Sequence, residues 1–364
     1  MLKKLCFFLL FPVIGYSQSL DVSVEQWTAG NQYTTFGLAQ HNVSFSNNSI
    51  TFTTPGVQFG DYLSYGVAPD YSLIGILKNT MQGEQAFVMN PAADTLSNFE
   101  TISVSYDDPS LRLKTFNSGA VLLRNNIANF TLYSPLGSIK TSGSSSSQSE
   151  QGESISEMAT DAHGKTVLIY TPKINQGEGI GSQAQILKGD NSTENIFYSS
   201  SRSISYGDVS DDGQFILLIT ASEGSNDEVI ILDRFGNELG SIESEEDLIG
   251  AHLTGNGEQF IIYSSRRALV YSSLNGERIG STSFRSPLIL AQYVAEDQTI
   301  IGLTGSKVES TEIYKDLEFH AINLEQREIA GKNSVELWVA VPILTSHFLG
   351  REQGTINCRE RTKS

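Results

Sequence analysis

Cysteine is almost missing from this sequence: Cys6 and Cys358 are the only two. Cys6 sits in an apolar N-terminal stretch that is expected to be removed, so no intramolecular disulfide is left to the remainder and packing must supply the stability. Cys358, close to the C-terminus, reads as an incidental thiol. Positive charge is scarce as well, with 24 Lys and Arg against 41 Asp and Glu and a net charge of -17. Such a surface cannot displace counterions from a phosphate backbone, which excludes a nucleic-acid partner. No later run is apolar and long enough to cross a bilayer as a helix, and no long interval has 3.6-residue periodicity. The fingerprints HExxH, GxSxG, the phosphate-binding P-loop and the dinucleotide loop are all missing, so neither a metal nor a cofactor is expected.

What is present begins with MLKKLCFFLLFPVIGYSQS. Lys3 and Lys4 form a charged start, Leu5 to Ile14 an apolar core, and Gly15 and Ser17 supply small residues ahead of Gln18. That is the pattern of a secretory leader, here of bacterial type, cleaved after residue 17. The mature chain, 18–364, is expected to be periplasmic or secreted, with no membrane span once the leader is gone.

Beyond the leader one arrangement recurs. VSDDGQFILLIT, starting at Val209, sets a polar turn before an apolar run; DAHGKTVLIYT from Asp161 and TGNGEQFIIYS from Thr254 do the same. After each come further short β-branched or aromatic runs separated by turn residues, which is a strand-and-hairpin signal. Six such units have their first turns near Tyr71, Gly119, Gly164, Gly213, Gly257 and Asp297. A repeat of roughly 45 residues with three visible strands and room for a fourth is the arithmetic of a propeller blade. The missing innermost strands are ISEMAT before Asp161, SYGDVS before Asp211, LIGAHL before Thr254 and LILAQYV before Ala295. A lone four-stranded unit would expose two apolar faces, so it must stack on copies of itself; that is why the arrangement repeats.

Both ends leave β-like pieces over. NVSFSNNSITFTTP, residues 42–55, resembles the last two strands of a unit, and the segment from Val335 to Arg359 the first two. The expected fold is therefore all-β, a single seven-bladed β-propeller whose last blade is closed by strands from both termini. The Ser-rich stretch near 141–154 reads as a flexible loop between blades, in preference to a linker between two domains.

The DDGQF and NGEQF turns resemble those of the broad WD40-like and YVTN-like β-propeller group, a resemblance spread over nearly all of the mature chain. The regular Gly-His pair and Trp-Asp ending of that group are missing, as is the Ser-x-Asp-x-Gly-x-x-x-Trp box of sialidase-like propellers. The resemblance implies an architecture and transfers no catalytic residue.

Local chemistry has few candidates. Among the histidines, His163 falls in a turn and His252 in an inner strand, where it would approach the central channel. Asp208, beside the inner strand before the Asp211 turn, is expected to approach the same channel, so His252 and Asp208 are the base and acid of an alternative reading as a propeller hydrolase or lyase. Asp211 and Asp212 read as turn residues, SIESEEDLIG as a solvated acidic loop, and QGEGIGSQ as a blade loop and not a phosphate cradle. Tyr206 and Tyr293, near inner strands, and Tyr65, beside the first full unit, are the candidate binding residues, since tyrosine offers a ring face and a hydroxyl. The leading expectation is a monomeric, exported, non-enzymatic recognition or scaffold protein, presenting a loop face to an extracytoplasmic protein or a glycan.

Overall fold

The computed structural model describes residues 36–39, 42–46, 49–53, 56–60, 64–69, 72–90, 95–101, 112–126, 129–145, 156–176, 179–296, 298–307, 313–325, 328–335 and 339–340. Near the N-terminus, β1 (Phe36–Ala39) pairs with β4 (Gly56–Gly60) and β2 (Asn42–Ser46) with β3 (Ser49–Thr53). Six antiparallel meanders follow in strict chain order. Sheet I is β5 (Ser64–Val67), β6 (Ile74–Thr80), β7 (Gly83–Met89) and β8 (Thr95–Glu100). Sheet II is β9 (Arg112–Thr115), β10 (Val121–Arg124), β11 (Asn129–Tyr133) and β12 (Ile139–Ser144). Sheet III is β13 (Glu157–Thr160), β14 (Val167–Gln176), β15 (Gly179–Leu187) and β16 (Thr193–Ser199). Sheet IV is β17 (Ser203–Val209), β18 (Phe215–Ala221), β19 (Glu228–Asp233) and β20 (Glu238–Glu243). Sheet V is β21 (Leu248–Leu253), β22 (Gln259–Ser264), β23 (Arg267–Ser272) and β24 (Arg278–Ser283). Sheet VI is β25 (Leu288–Val294), β26 (Thr299–Lys307), β27 (Ile313–Asn323) and β28 (Glu328–Val335), with β29 (Val339–Ala340) paired to β27 as well.

Sheets II to V are buried on both faces, because apolar residues fill most of strands such as β10 (VLLR), β18 (FILLITA), β19 (EVIILD) and β22 (QFIIYS). Leu217 and Ile219 of β18 pack toward sheet V with Phe260 and Ile262, while Ile216 and Leu218 pack toward sheet III with Leu168 and Tyr170. Five apolar clusters fill the five junctions in this manner, each drawing on two successive sheets. Fourth strands such as β20 and β24 are mostly exposed. An all-β series of six four-stranded meanders, stacked face to face with first strands adjacent, is the arrangement of the β-propeller class.

The inner strands begin and end close to their expected bounds; LIGAHL and LILAQYV are β21 and β25 without a residue's difference. At the termini, the hairpin of β2 and β3 forms its own small sheet, and Val339–Ala340 pairs with Tyr314 and Ile313 at the end of β27. Residues 341–364, needed for a blade shared by both ends, lie outside the described residues, as do the leader and residues 146–155 of the Ser-rich stretch. Strand β12 runs to Ser144, so the first part of that stretch is sheet.

The first turns explain the recurring motif. Gly119, Gly164, Gly213 and Gly257 all adopt positive φ, between 69° and 80°, which an L side chain resists. In sheet IV the Gly213 amide donates to Ser210 O (2.8 Å), and in sheet V that of Gly257 to Thr254 O (2.8 Å). Asp212 Oδ1 accepts from Gln214 N (3.0 Å), and Asn256 Oδ1 from Glu258 N (3.2 Å). These turns also touch one another. Asn117 N donates to Ala162 O (3.2 Å), Ala162 N to Asp211 O (3.4 Å) and Asp212 N to Gly255 O (3.3 Å), while Thr166 Oγ1 donates to Gly213 O (3.0 Å). Four sheets are thereby tied turn to turn.

Candidate functional site

Register brings the two inner-strand candidates together. Asp208 pairs with Leu217 and His252 with Ile261, the same rung of successive sheets, and both strands carry a bulge earlier, at Ser205 and Ile249. His252 Nδ1 lies 3.8 Å from Asp208 Oδ2 and 3.3 Å from the Tyr206 hydroxyl. Asp208 Oδ2 also accepts the Leu253 amide at 3.0 Å, so it satisfies a backbone donor on the neighbouring inner strand. The His252 ring stands edge-on to Tyr206 and stacks on Tyr263 at 6.2 Å between centroids. Tyr263 is buried, and its oxygen occupies the space a Cβ would need at Gly250. Burial, and then the Asp208 charge, push the Tyr263 phenol well above its ordinary value. It is held neutral.

Beside this group lie the tied turns of sheets II to V. Asp161 is fully buried and accepts Thr166 N (2.7 Å) and His163 N (3.1 Å). Asp211 is exposed by area, yet its carboxyl is raised above the usual range. Partial loss of solvation is the first cause and the like charges of Asp208 and Asp161 the next, while His163 and Lys114 oppose them. Lys114 is nearly buried on β9. Sheets II to V therefore place a mixed-charge group of Lys114, Asp161, Asp208, Asp211 and His252 at the turn end of their inner strands.

With Nδ1 engaged by Tyr206 and Asp208, His252 has only Nε2 without a hydrogen-bond partner among the described residues. The arrangement can exchange a proton, and it also works as a latch between sheets IV and V. Among the described residues, no three His, Cys, Asp or Glu side chains approach closely enough to hold a metal ion.

The candidate tyrosines are placed inside. Tyr206 (4 % exposed) and Tyr293 (6 %) belong to the apolar clusters at the two sides of sheet V, and burial raises the Tyr293 phenol. Tyr65 pairs with Ile76 on β5, and its side chain is outside the described set. Asp212 is a turn residue as expected, whereas Asp211 directs no side-chain bond to a local amide. In the acidic loop Glu246 accepts the Ser264 hydroxyl and lies 3.7 Å from Arg267, so it holds sheet V, and Glu243, Glu245 and Asp247 are exposed. Gly179 and Gly181 are strand residues of β15.

Sequence reasoning overlooked Arg124 and Lys114. Arg124, 1 % exposed, donates to Ser156 O (2.5 Å) and to Glu157 Oε2 (3.3 Å), stapling sheet II to sheet III. A lone Arg ending an apolar run, AVLLR, was the available signal.

No protein-family model and no curated protein sequence matches the chain. Among solved structures it is similar to BamB from Moraxella catarrhalis, at 13% identity and TM-score 0.46, over 88% of this chain and 91% of that one. It is likewise similar to Saccharomyces cerevisiae Sqt1, at 11% identity and TM-score 0.48, over 76% and 75% of the two chains. Likeness at this level says nothing about function. Among the described residues no helix is long and apolar enough to cross a membrane.

Proposed function

We propose that this chain is an exported, non-enzymatic recognition or scaffold protein, whose partner is an extracytoplasmic protein or a glycan. One observation carries the reading: the first-to-second turns of sheets II to V are near copies tied to one another, whereas the hairpins at the opposite end of the sheets differ in length from unit to unit. In sheet III the pairing of β14 with β15 continues to Gln176 and Gly179, beyond the reach of β13 and β16. In sheet VI β26 and β27 extend similarly, to Lys307 and Tyr314. In sheet V the equivalent connection is only Ser265 and Arg266. Variable projections on a repeated scaffold suit recognition. In this reading Tyr206 and Tyr293 support the inner strands. A seventh blade built from β2, β3 and the C-terminal residues would complete the scaffold, and the proximity of β3 to β28 favours it.

The test is removal of the hairpin tip 173–180 from the mature protein. Capture of its extracytoplasmic partner, measured by cross-linking and by glycan-array binding, should fall about tenfold or more. Alanine at His252 or Asp208 should leave capture within about threefold. The competing reading as a hydrolase or lyase rests on the Tyr206–His252–Asp208 contacts; substrate turnover that collapses in a folded His252→Ala variant would decide for it.

A further inference from the structure

Sheet V carries two Asn-Gly steps in the same local sequence, Asn256-Gly257-Glu258 and Asn275-Gly276-Glu277. Asn-Gly is the dipeptide most open to attack by a backbone amide on the Asn side chain, because glycine puts no side chain in the way. The first step lies in the tied turn between β21 and β22, the second in the turn between β23 and β24. Their surroundings differ.

Gly257 is buried, and a Cβ there would lie 2.9 Å from Ser210 Cβ and closer still to the Phe215 ring. Asn256 Oδ1 is held by Thr254 Oγ1 (3.0 Å) and Glu258 N (3.2 Å), and the turn receives the Asp212 amide through Gly255 O. Asn275 and Gly276 are both exposed, and nothing lies within 4 Å of a Cβ built on Gly276. Asn275 bonds only within its own turn, Oδ1 accepting Glu277 N (3.0 Å) and Nδ2 donating to Glu277 Oε2 (3.4 Å). In both turns the glycine amide donates to a carbonyl, Thr254 O at 2.8 Å and Ser272 O at 2.9 Å, so each must open before it can react. Freeing the Gly276 amide breaks bonds within its own turn and leaves the Ser273 amide bonded to Glu258 O (2.8 Å), whereas opening the inner turn unpacks the junction of sheets IV and V.

We propose that Asn275-Gly276 is a site of spontaneous deamidation in the folded protein, and that Asn256-Gly257 is protected by its place between sheets. The Gly276 nitrogen forms a bond to Asn275 Cγ, the Cγ–Nδ2 bond breaks, and Nδ2 leaves as ammonia with the proton lost from the Gly276 amide. Water then opens the cyclic imide. Cleavage at Cγ restores the backbone with aspartate in place of asparagine, and cleavage at the Asn275 carbonyl carbon routes the backbone through Cγ as isoaspartate. No electron transfer is involved. Either product adds a negative charge beside Glu277 and the exposed Leu274, changing the outer rim of sheet V.

The folded protein is incubated at mildly alkaline pH and its peptides are followed by mass spectrometry, with isoaspartate detected by enzymatic methylation. Conversion at Asn275 should run about tenfold or more ahead of conversion at Asn256. In denaturant, where both steps meet the same Gly-Glu context, the two rates should approach each other. Asn275→Gln, which leaves the glycine and its positive φ in place, should remove the fast site. Equal rates in the folded state, faster conversion at Asn256, or an unmodified Asn275 after Asn256 has reacted would each overturn the proposal.

Discussion

At one end of the sheets the first turns of sheets II to V are tied to one another; at the other the hairpins between second and third strands are free to vary in length. The tied end joins the turns of sheets II to V, and within sheets IV and V it also links inner to outer turns, through Arg234 N to Gln214 O (2.9 Å) and Ser273 N to Glu258 O (2.8 Å). At the free end, Gly83 and Gly224 have positive φ but empty space around them. The same residue type thus meets two demands. Gly213 and Gly257 satisfy a backbone angle and a close contact together, and Gly224 only the angle. A fold made of repeats has to spend one end on holding the copies in register, and that leaves the other for projections of different length.

The sharpest way to break this comparison is to place the same methyl group at both ends. Gly257→Ala forces a Cβ into Phe215 and Ser210 at positive φ, and should lower stability by about 3 kcal/mol in chemical denaturation. Gly224→Ala, with equal backbone strain and open space, should cost about 1 kcal/mol. Similar losses at the two sites would remove the distinction. Removal of the tip 173–180 should come next, changing stability by about 1 kcal/mol or less while partner capture is lost.

The repeat was legible because each tied turn demands glycine at one position and a short oxygen-bearing side chain near it, and those demands leave Asp161-x-x-Gly164, Ser210-x-x-Gly213 and Thr254-x-x-Gly257 in the sequence. Inner strands followed by subtraction from the repeat length. The meeting of Tyr206, Asp208 and His252 was less legible, since it depends on two matched bulges whose effect appears only once strands are in register. Burial of Tyr206 and Tyr293 was hidden for a related reason: position on an inner strand does not say which way a side chain packs. Asp161 looked like an ordinary turn residue, and its full burial arises from the neighbouring turn that covers it.

Two carboxylates refine the comparison at smaller amplitude, with opposite signs. A burial penalty on Asp233 is outweighed by the sum of hydrogen bonds from Asn237 Nδ2 (2.7 Å), Asn237 N (2.9 Å) and Phe235 N (2.8 Å), so its carboxyl titrates below the usual range. Its stabilisation is complete above the unfolded-state value and disappears as pH falls through the folded one. Asp233→Ala should cost about 1 kcal/mol at neutral pH and nearly nothing in strong acid, read from denaturation midpoints across pH. Asp211 titrates above the usual range, so its ionisation begins to oppose folding as pH rises through the unfolded-state value, and the penalty is complete above the folded one. Asp211→Asn should raise the melting temperature slightly at neutral pH, and the gain should vanish below the ordinary carboxylate range.

Site-resolved amide hydrogen exchange tests the division between the two ends most directly. The amides of Gly213, Arg234, Gly257 and Ser273, all bonded within the tied end, should exchange only through global unfolding. The Ser225 amide, bonded at 3.2 Å to Ser222 O in the hairpin between β18 and β19, should exchange about a hundredfold faster or more by local opening. Exchange of the tied-end amides at the hairpin's rate, under conditions where the apolar strands remain protected, would contradict the account.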